Sequence, residues 1–205
     1  MKQFKLAGFA AAAFALSLAI TLAVGAQPVP ARTGTLHADL LHSYESVADL
    51  TKNADLILVG RLVDTTQRPY GRLPFTLDTL QVERVIRGSS QTSTVRVLET
   101  GGLLPPSLVK GGNAALSTST LMSFEGVAPM TIGEQYVVFL QHYQGPIAVD
   151  AYVVLSQYQG RFHVTGGSIH FDGDRSLINQ RSFSIQLAFD GRAVVDLEAD
   201  IASSN

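Results

Sequence analysis

Five histidines, a scatter of carboxylates and a hydroxyl-rich stretch are the side chains with which this chain could do chemistry. The histidines are His37, His42, His142, His163 and His170. No His-Glu-x-x-His is present and no two histidines fall at i, i+4 on an expected helix, so a zincin-type site is excluded. His163 and His170 flank a Gly-Gly turn and could meet across a hairpin, but solvent-facing strand histidines are the far commoner explanation of such a placing. The most ligand-like segment is His170-Phe171-Asp172-Gly173-Asp174. Oxygen-rich turns suit hard cations, which makes Asp172 and Asp174 the candidate metal ligands. A calcium loop continues with further oxygens and a distal Glu, whereas here Arg175 follows, and Asp-Gly is also an ordinary turn signal. The expectation is no metal and no cofactor.

Many serines are present but no Gly-x-Ser-x-Gly elbow. A triad assembled from distant residues leaves no local trace. Glu99, Glu125 and Glu134 sit near loops, where a glycosidase-type carboxylate pair could form. Glu134, in a Gly-Glu-Gln turn, reads more simply as a turn or surface contact. There is no P-loop and no Gly-x-Gly-x-x-Gly, so nucleotide binding has no support. No catalytic residue is assigned. The aromatic set Tyr136, Phe139, Tyr143, Tyr152, Tyr158 and Phe162 could form a binding face, although core packing explains alternate members as well.

Composition narrows the class. The chain has 205 residues, 46% of them hydrophobic, and a formal net charge of -2. One ordinary domain with extensions fits that length. Its arginines are scattered, so the clustered basic face of a nucleic-acid binder is missing. There is no cysteine and no tryptophan. Disulfides, thiolate metal sites, a cysteine nucleophile and a Trp-lined sugar platform are therefore excluded.

The elements that must position any site begin with a targeting segment. Lys2 and Lys5 precede an apolar run over residues 6–24, followed by Gly25 and Ala26. This three-part layout predicts a signal peptide over residues 1–26, with Ala31 as a second candidate cleavage point and an uncleaved anchor as the alternative. Residues 27–42, with Pro28, Pro30 and Gly34, predict a flexible leader. Residues 43–53 predict a short helix capped by Ser43. Residues 56–63 are apolar on both parities, as in a strand of a barrel that is also covered from outside, and Gly60 suggests a bend or bulge. A loop over residues 65–74 leads to a long strand over residues 75–87, whose apolar parity changes; a bulge near Asp78 and Thr79 would explain that switch. Residues 94–100 predict a third strand with Val95 and Val97 inward. Residues 101–133 form a long irregular connection, with a sheet-edge contact expected near residues 121–124. Residues 136–140 predict another doubly apolar strand, and residues 151–158 and 161–165 a hairpin around Gln159-Gly160. Short strands are expected at residues 169–171 and 183–189, and residues 193–201 have helical spacing.

The order of these features carries a resemblance. Ala54-Asp55-Leu56-Ile57-Leu58-Val59-Gly60 is followed by Val82-Glu83-Arg84-Val85-Ile86-Arg87-Gly88, then Thr94-Val95-Arg96-Val97 with Gly101-Gly102, then Gly133-Glu134-Gln135-Tyr136-Val137-Val138-Phe139-Leu140. This resembles a group of uncharacterised exported bacterial proteins and, more distantly, the netrin-like domain shared with tissue inhibitors of metalloproteinases, an OB-type barrel. The resemblance spans roughly residues 43–165 and implies the barrel fold. The inhibitory mechanism of that family uses an N-terminal cysteine, and this chain has none, so no functional residue is carried over.

The combined expectation is a mainly β protein: an OB-like barrel over residues 43–168, with one N-terminal helix and a C-terminal extension over residues 169–205. Functionally it reads as a non-enzymatic exported binding or envelope-associated module. Its expected partner is an unidentified protein or envelope component, without nucleic acid, and with the membrane involved only through the N-terminal segment. Contacts are expected at the barrel mouth and residues 101–133. A secreted hydrolase with a dispersed site, or a peptidase-inhibitor-like module, is the alternative.

Overall fold

A computed structural model describes residues 32–36, 43–105, 119–124, 126–173, 175 and 183–204. The predicted signal peptide, most of the leader, His37, His42, Glu125 and Asp174 lie outside the described residues.

The first helix, α1 (Val47–Asn53), starts three residues later than the Ser43 cap implies. Ser46 is the cap: its backbone is extended and its hydroxyl accepts the Asp49 N–H at 3.1 Å. The extended lead-in is held elsewhere, where the Tyr44 N–H donates to Gln159 Oε1 at 2.9 Å. Val47, Leu50 and Thr51 are the buried face of α1.

Five strands then close a barrel: β2 (Leu56–Gln67), β3 (Phe75–Arg87), β4 (Thr94–Thr100), β7 (Gln135–His142) and β8 (Tyr152–Val154). β2 pairs antiparallel with β3 and β7, β3 with β4, and β7 with β8, while a parallel pairing of β4 with β8 closes the ring. Called first to fifth in chain order, these strands run 1-2-3-5-4 and back to 1, the connectivity of an OB-type barrel. The mainly β barrel expected from the sequence is thus observed. Closure demands sharp local twist, which bulges supply. They fall at Val63 on β2 and at Glu83 and Ile86 on β3, where the β2–β3 register slips. Gly60 sits between two of these slips, and a Cβ there would stand 3.0 Å from Leu58 Cδ1 and 3.1 Å from the Gln81 carbonyl.

The irregularity expected near Asp78 and Thr79 falls opposite Thr79 and Leu80, but its extra residue is Val63 of β2, and residues 75–81 of β3 pair with β4 in unbroken register. The change in parity has another cause. Thr76, Asp78 and Leu80 are inward and buried, so the polar inward positions fall where the outward Leu77 is apolar.

Two cores meet on the barrel wall. Leu56, Leu58, Leu80, Val97, Tyr136, Val138 and Leu140 fill the interior. Ile57, Val59, Val137 and Phe139 face outward and are buried by Val47 and Leu50 of α1 and by Leu197 and Ile201 of α3 (Val194–Ser203). β2 and β7 are therefore apolar on both parities because both faces are covered.

The expected hairpin over residues 151–165 does not form. β8 and β9 (Arg161–Thr165) pair with successive segments of one edge of β7 instead of with each other. β9 does form a hairpin, with β10 (Ser168–His170). Residues 183–189, expected as a strand, contain helix α2 (Ser184–Phe189), which buries Ile185 and Phe189 in the outer core. A second sheet joins β1 (Arg32–Leu36), β6 (Thr120–Phe124) and β5 (Gly102–Leu104), with β1 parallel to β6. The edge contact expected near residues 121–124 is this sheet. Among the described residues no helix is long and apolar enough to cross a membrane.

Candidate functional site

The polar positions of β3 and β4 converge inside the barrel. Thr76 lies directly opposite Glu99 and Asp78 opposite Val97, so the two carboxyls are diagonal neighbours on the inner face. Both are buried. Asp78 Oδ2 accepts the Thr76 hydroxyl at 3.1 Å, while Oδ1 finds no hydrogen-bond partner of good geometry among the described residues. Burial, and then the neighbouring Glu99 charge, push the Asp78 pKa up to about 8, so it holds its proton at neutral pH.

Arg161, at the start of β9, reaches across to this cluster. Its Nη1 donates to Glu99 Oε1 at 2.8 Å, and its Nη2 to the Ala128 carbonyl at 2.8 Å and to Asp172 Oδ2 at 3.1 Å. Glu99 Oε2 accepts the Met130 N–H at 2.9 Å. One guanidinium thus ties β4, the connection after β6 and the chain after β10. Burial opposes its charge, but Asp172 and Glu99 outweigh burial and raise its pKa. It also lies 5.7 Å from the ring centre of Tyr136, whose hydroxyl accepts the Thr131 N–H. Burial pushes the Tyr136 pKa up to about 12. The space beside Arg161 and Asp172 measures about 10 Å³, roughly enough for one water. No substrate fits there, and the cluster is a buried electrostatic clamp.

The other candidates distribute along the same wall. His163 and His170 are directly opposed in the β9–β10 hairpin, and His163 Nε2 lies 3.1 Å from Glu134 Oε2. His170 is solvent-exposed. His142 is at the far end of β7, stacked on Tyr152 with ring centres 4.4 Å apart, and its N–H donates to Asp55. Asp172 is committed to Arg161, and among the described residues no three His, Asp or Glu side chains are set to hold a metal ion. Of the aromatic set, Tyr136, Phe139, Tyr158 and Phe162 are core residues, while Tyr143 and Tyr152 are partly exposed.

Tyr143 belongs to a feature no motif signalled. On the outer face of the barrel, Leu98 and Val153 are paired across β4 and β8, and Val153 is paired with Gln141 of β7. Phe75, Tyr143 and Ile147 pack beside them. Together they wall a concavity of about 390 Å³, bordered also by Tyr44, Ser156 and Gln157. Ser156 and Gln157 hold the left-handed backbone at φ 51° and 62°, a conformation that costs non-glycine residues about 1–3 kcal/mol and that gathers at ligand-clamping positions. The sequence hid this concavity because its walls come from four strands, β3, β4, β7 and β8, and from the loops beside them, which are distant in the chain. Alternating outward apolar residues were the only trace.

No protein-family model matches the chain, and no curated protein matches it. What defines the molecule is therefore its own architecture: a closed OB-type barrel with a buried carboxylate–guanidinium clamp and a concavity in its outer wall.

Proposed function

We propose that this protein is an exported, non-enzymatic binding module whose ligand site is the concavity on the outer wall of the barrel. The observation that carries the reading is the separation of chemistry from space. Glu99 and Asp172 are spent on the Arg161 clamp, where about 10 Å³ is open, while the roomy concavity of about 390 Å³ is walled mainly by apolar and uncharged side chains, with Glu99, already paired to Arg161, the one carboxylate at its border among the described residues. Preformed apolar pockets of that size with a few polar groups are the usual form of a small-ligand site. Export is supported by the basic head, apolar run and small residues of the first 26 positions. It suits an envelope or extracellular setting for a chain without cysteine, like the exported bacterial proteins it resembles.

Native mass spectrometry after incubation with a small-molecule extract of the source organism's envelope tests the binding reading. A retained species lost in Val153→Trp is expected. Retention of nothing, or of a species that Val153→Trp leaves in place, contradicts it. N-terminal sequencing of protein from the exported fraction tests the address, with Gln27 expected as the first residue.

A secreted hydrolase is the second reading, and the Glu134–His163 contact is what favours it. Hydrolysis of an ester or glycoside panel that Glu134→Gln abolishes would decide for it.

A further inference from the structure

Resting on the reading of the wall concavity as the ligand site, we infer that it takes a small uncharged molecule with an apolar body and one hydrogen-bonding end. The walls decide the body. Phe75, Leu98, Ile147 and Val153 line the space with carbon, and water leaves such a surface favourably when a ligand's apolar face replaces it.

The absence of a free charge among the described lining decides the rest. The only carboxylate bordering the space, Glu99, has both oxygens engaged, by Arg161 at 2.8 Å and by the Met130 N–H at 2.9 Å. Its side chain shares the inward parity of Val95 and Val97. A cationic or anionic ligand would lose its hydration with no counter-charge to replace it, a penalty that an uncharged ligand avoids. Uncharged hydrogen-bonding side chains border the space at Tyr44, Thr100, Gln141, Tyr143, Ser156 and Gln157. The Tyr143 hydroxyl accepts the Ile147 N–H at 3.3 Å and keeps its own proton to donate. Gln141 and Gln157 are exposed at the rim, Gln157 on the left-handed turn that fixes its position. The ligand's polar end is therefore placed at this rim, with its apolar end against Leu98 and Val153.

Two fluorescent probes with one ring system separate charge from shape: N-phenyl-1-naphthylamine, which is neutral, and 8-anilinonaphthalene-1-sulfonate, which is anionic. The neutral probe is expected to bind the purified protein saturably and at least tenfold more tightly than the anionic one. Val153→Trp, which fills the space, should weaken the neutral probe by tenfold or more. Gln141→Lys is a change at an exposed position that leaves the fold intact. It should narrow the gap between the probes at least threefold by adding a cation at the rim. Equal or tighter binding of the sulfonate that Val153→Trp abolishes would overturn the ligand class while leaving the binding site in place. Neutral-probe binding unchanged by both variants would overturn the location. No binding of either probe, with no small molecule retained from the envelope extract, would overturn the class and the binding-module reading together.

Discussion

Two carboxyls grip the Arg161 guanidinium and a third, Asp78, neighbours one of them, Glu99, and that arrangement sets the behaviour of each residue there. Glu99 and Asp172 are paired with Arg161, which leaves Asp78 without a cation of its own. Asp78 therefore keeps a proton that the unfolded chain, with a pKa near 3.8, gives up. A folded-state pKa raised to about 8 means that the stabilising contribution is complete below about pH 3.8 and is lost as pH rises through about 8. Asp78→Asn keeps the shape and removes the titration. Its melting temperature relative to the parent should rise between pH 4 and pH 8 and level off above pH 8. A difference constant across that range would show that Asp78 is ionised in the fold. Arg161→Met should act in the opposite direction, costing about 3–5 kcal/mol in chemical denaturation at neutral pH, because Glu99 is left buried without its cation. A loss below about 1 kcal/mol would place the Arg161 head in water.

Strand β2 shows how one element is read by two environments. Leu58 is fully buried in the interior, whereas Val63, at a bulge, is 43% exposed. The same substitution should separate them. Leu58→Asp places an unpaired charge among apolar side chains and should abolish folding, as judged by loss of soluble protein and of the β signal in circular dichroism. Val63→Asp should change stability by no more than about 0.5 kcal/mol. A soluble, folded Leu58→Asp protein would remove β2 from the centre of the barrel. The double apolarity of β2 and β7 was legible because both faces of each strand are buried. The cap of α1 was misplaced by three residues because Ser43 and Ser46 are chemically equivalent, and only the backbone angles at Ser46 choose between them. The bulge expected in β3 has its extra residue on β2, at Val63 opposite Thr79 and Leu80, while in β3 a buried polar pair, Thr76 and Asp78, faces inward and imitates a change of parity.

At the scale of the whole molecule, the outer core depends on the C-terminal helices. Phe189, Val194, Leu197 and Ile201 cover Ile57, Val137 and Phe139. Removing residues 183–205 should expose that apolar wall and give a chain that aggregates or binds hydrophobic dyes along its length. A soluble, monomeric product with the parent melting temperature would show the barrel to be independent of α2 and α3. The amino-acid sequence by itself determined the mainly β class and the two strands buried on both faces, because these follow from local periodicity and composition. Tertiary structure alone decided the ring closure through the parallel β4–β8 pair, the Arg161 clamp and the wall concavity. Each of these joins residues far apart in the chain, and no local pattern records a contact whose partner lies on another strand.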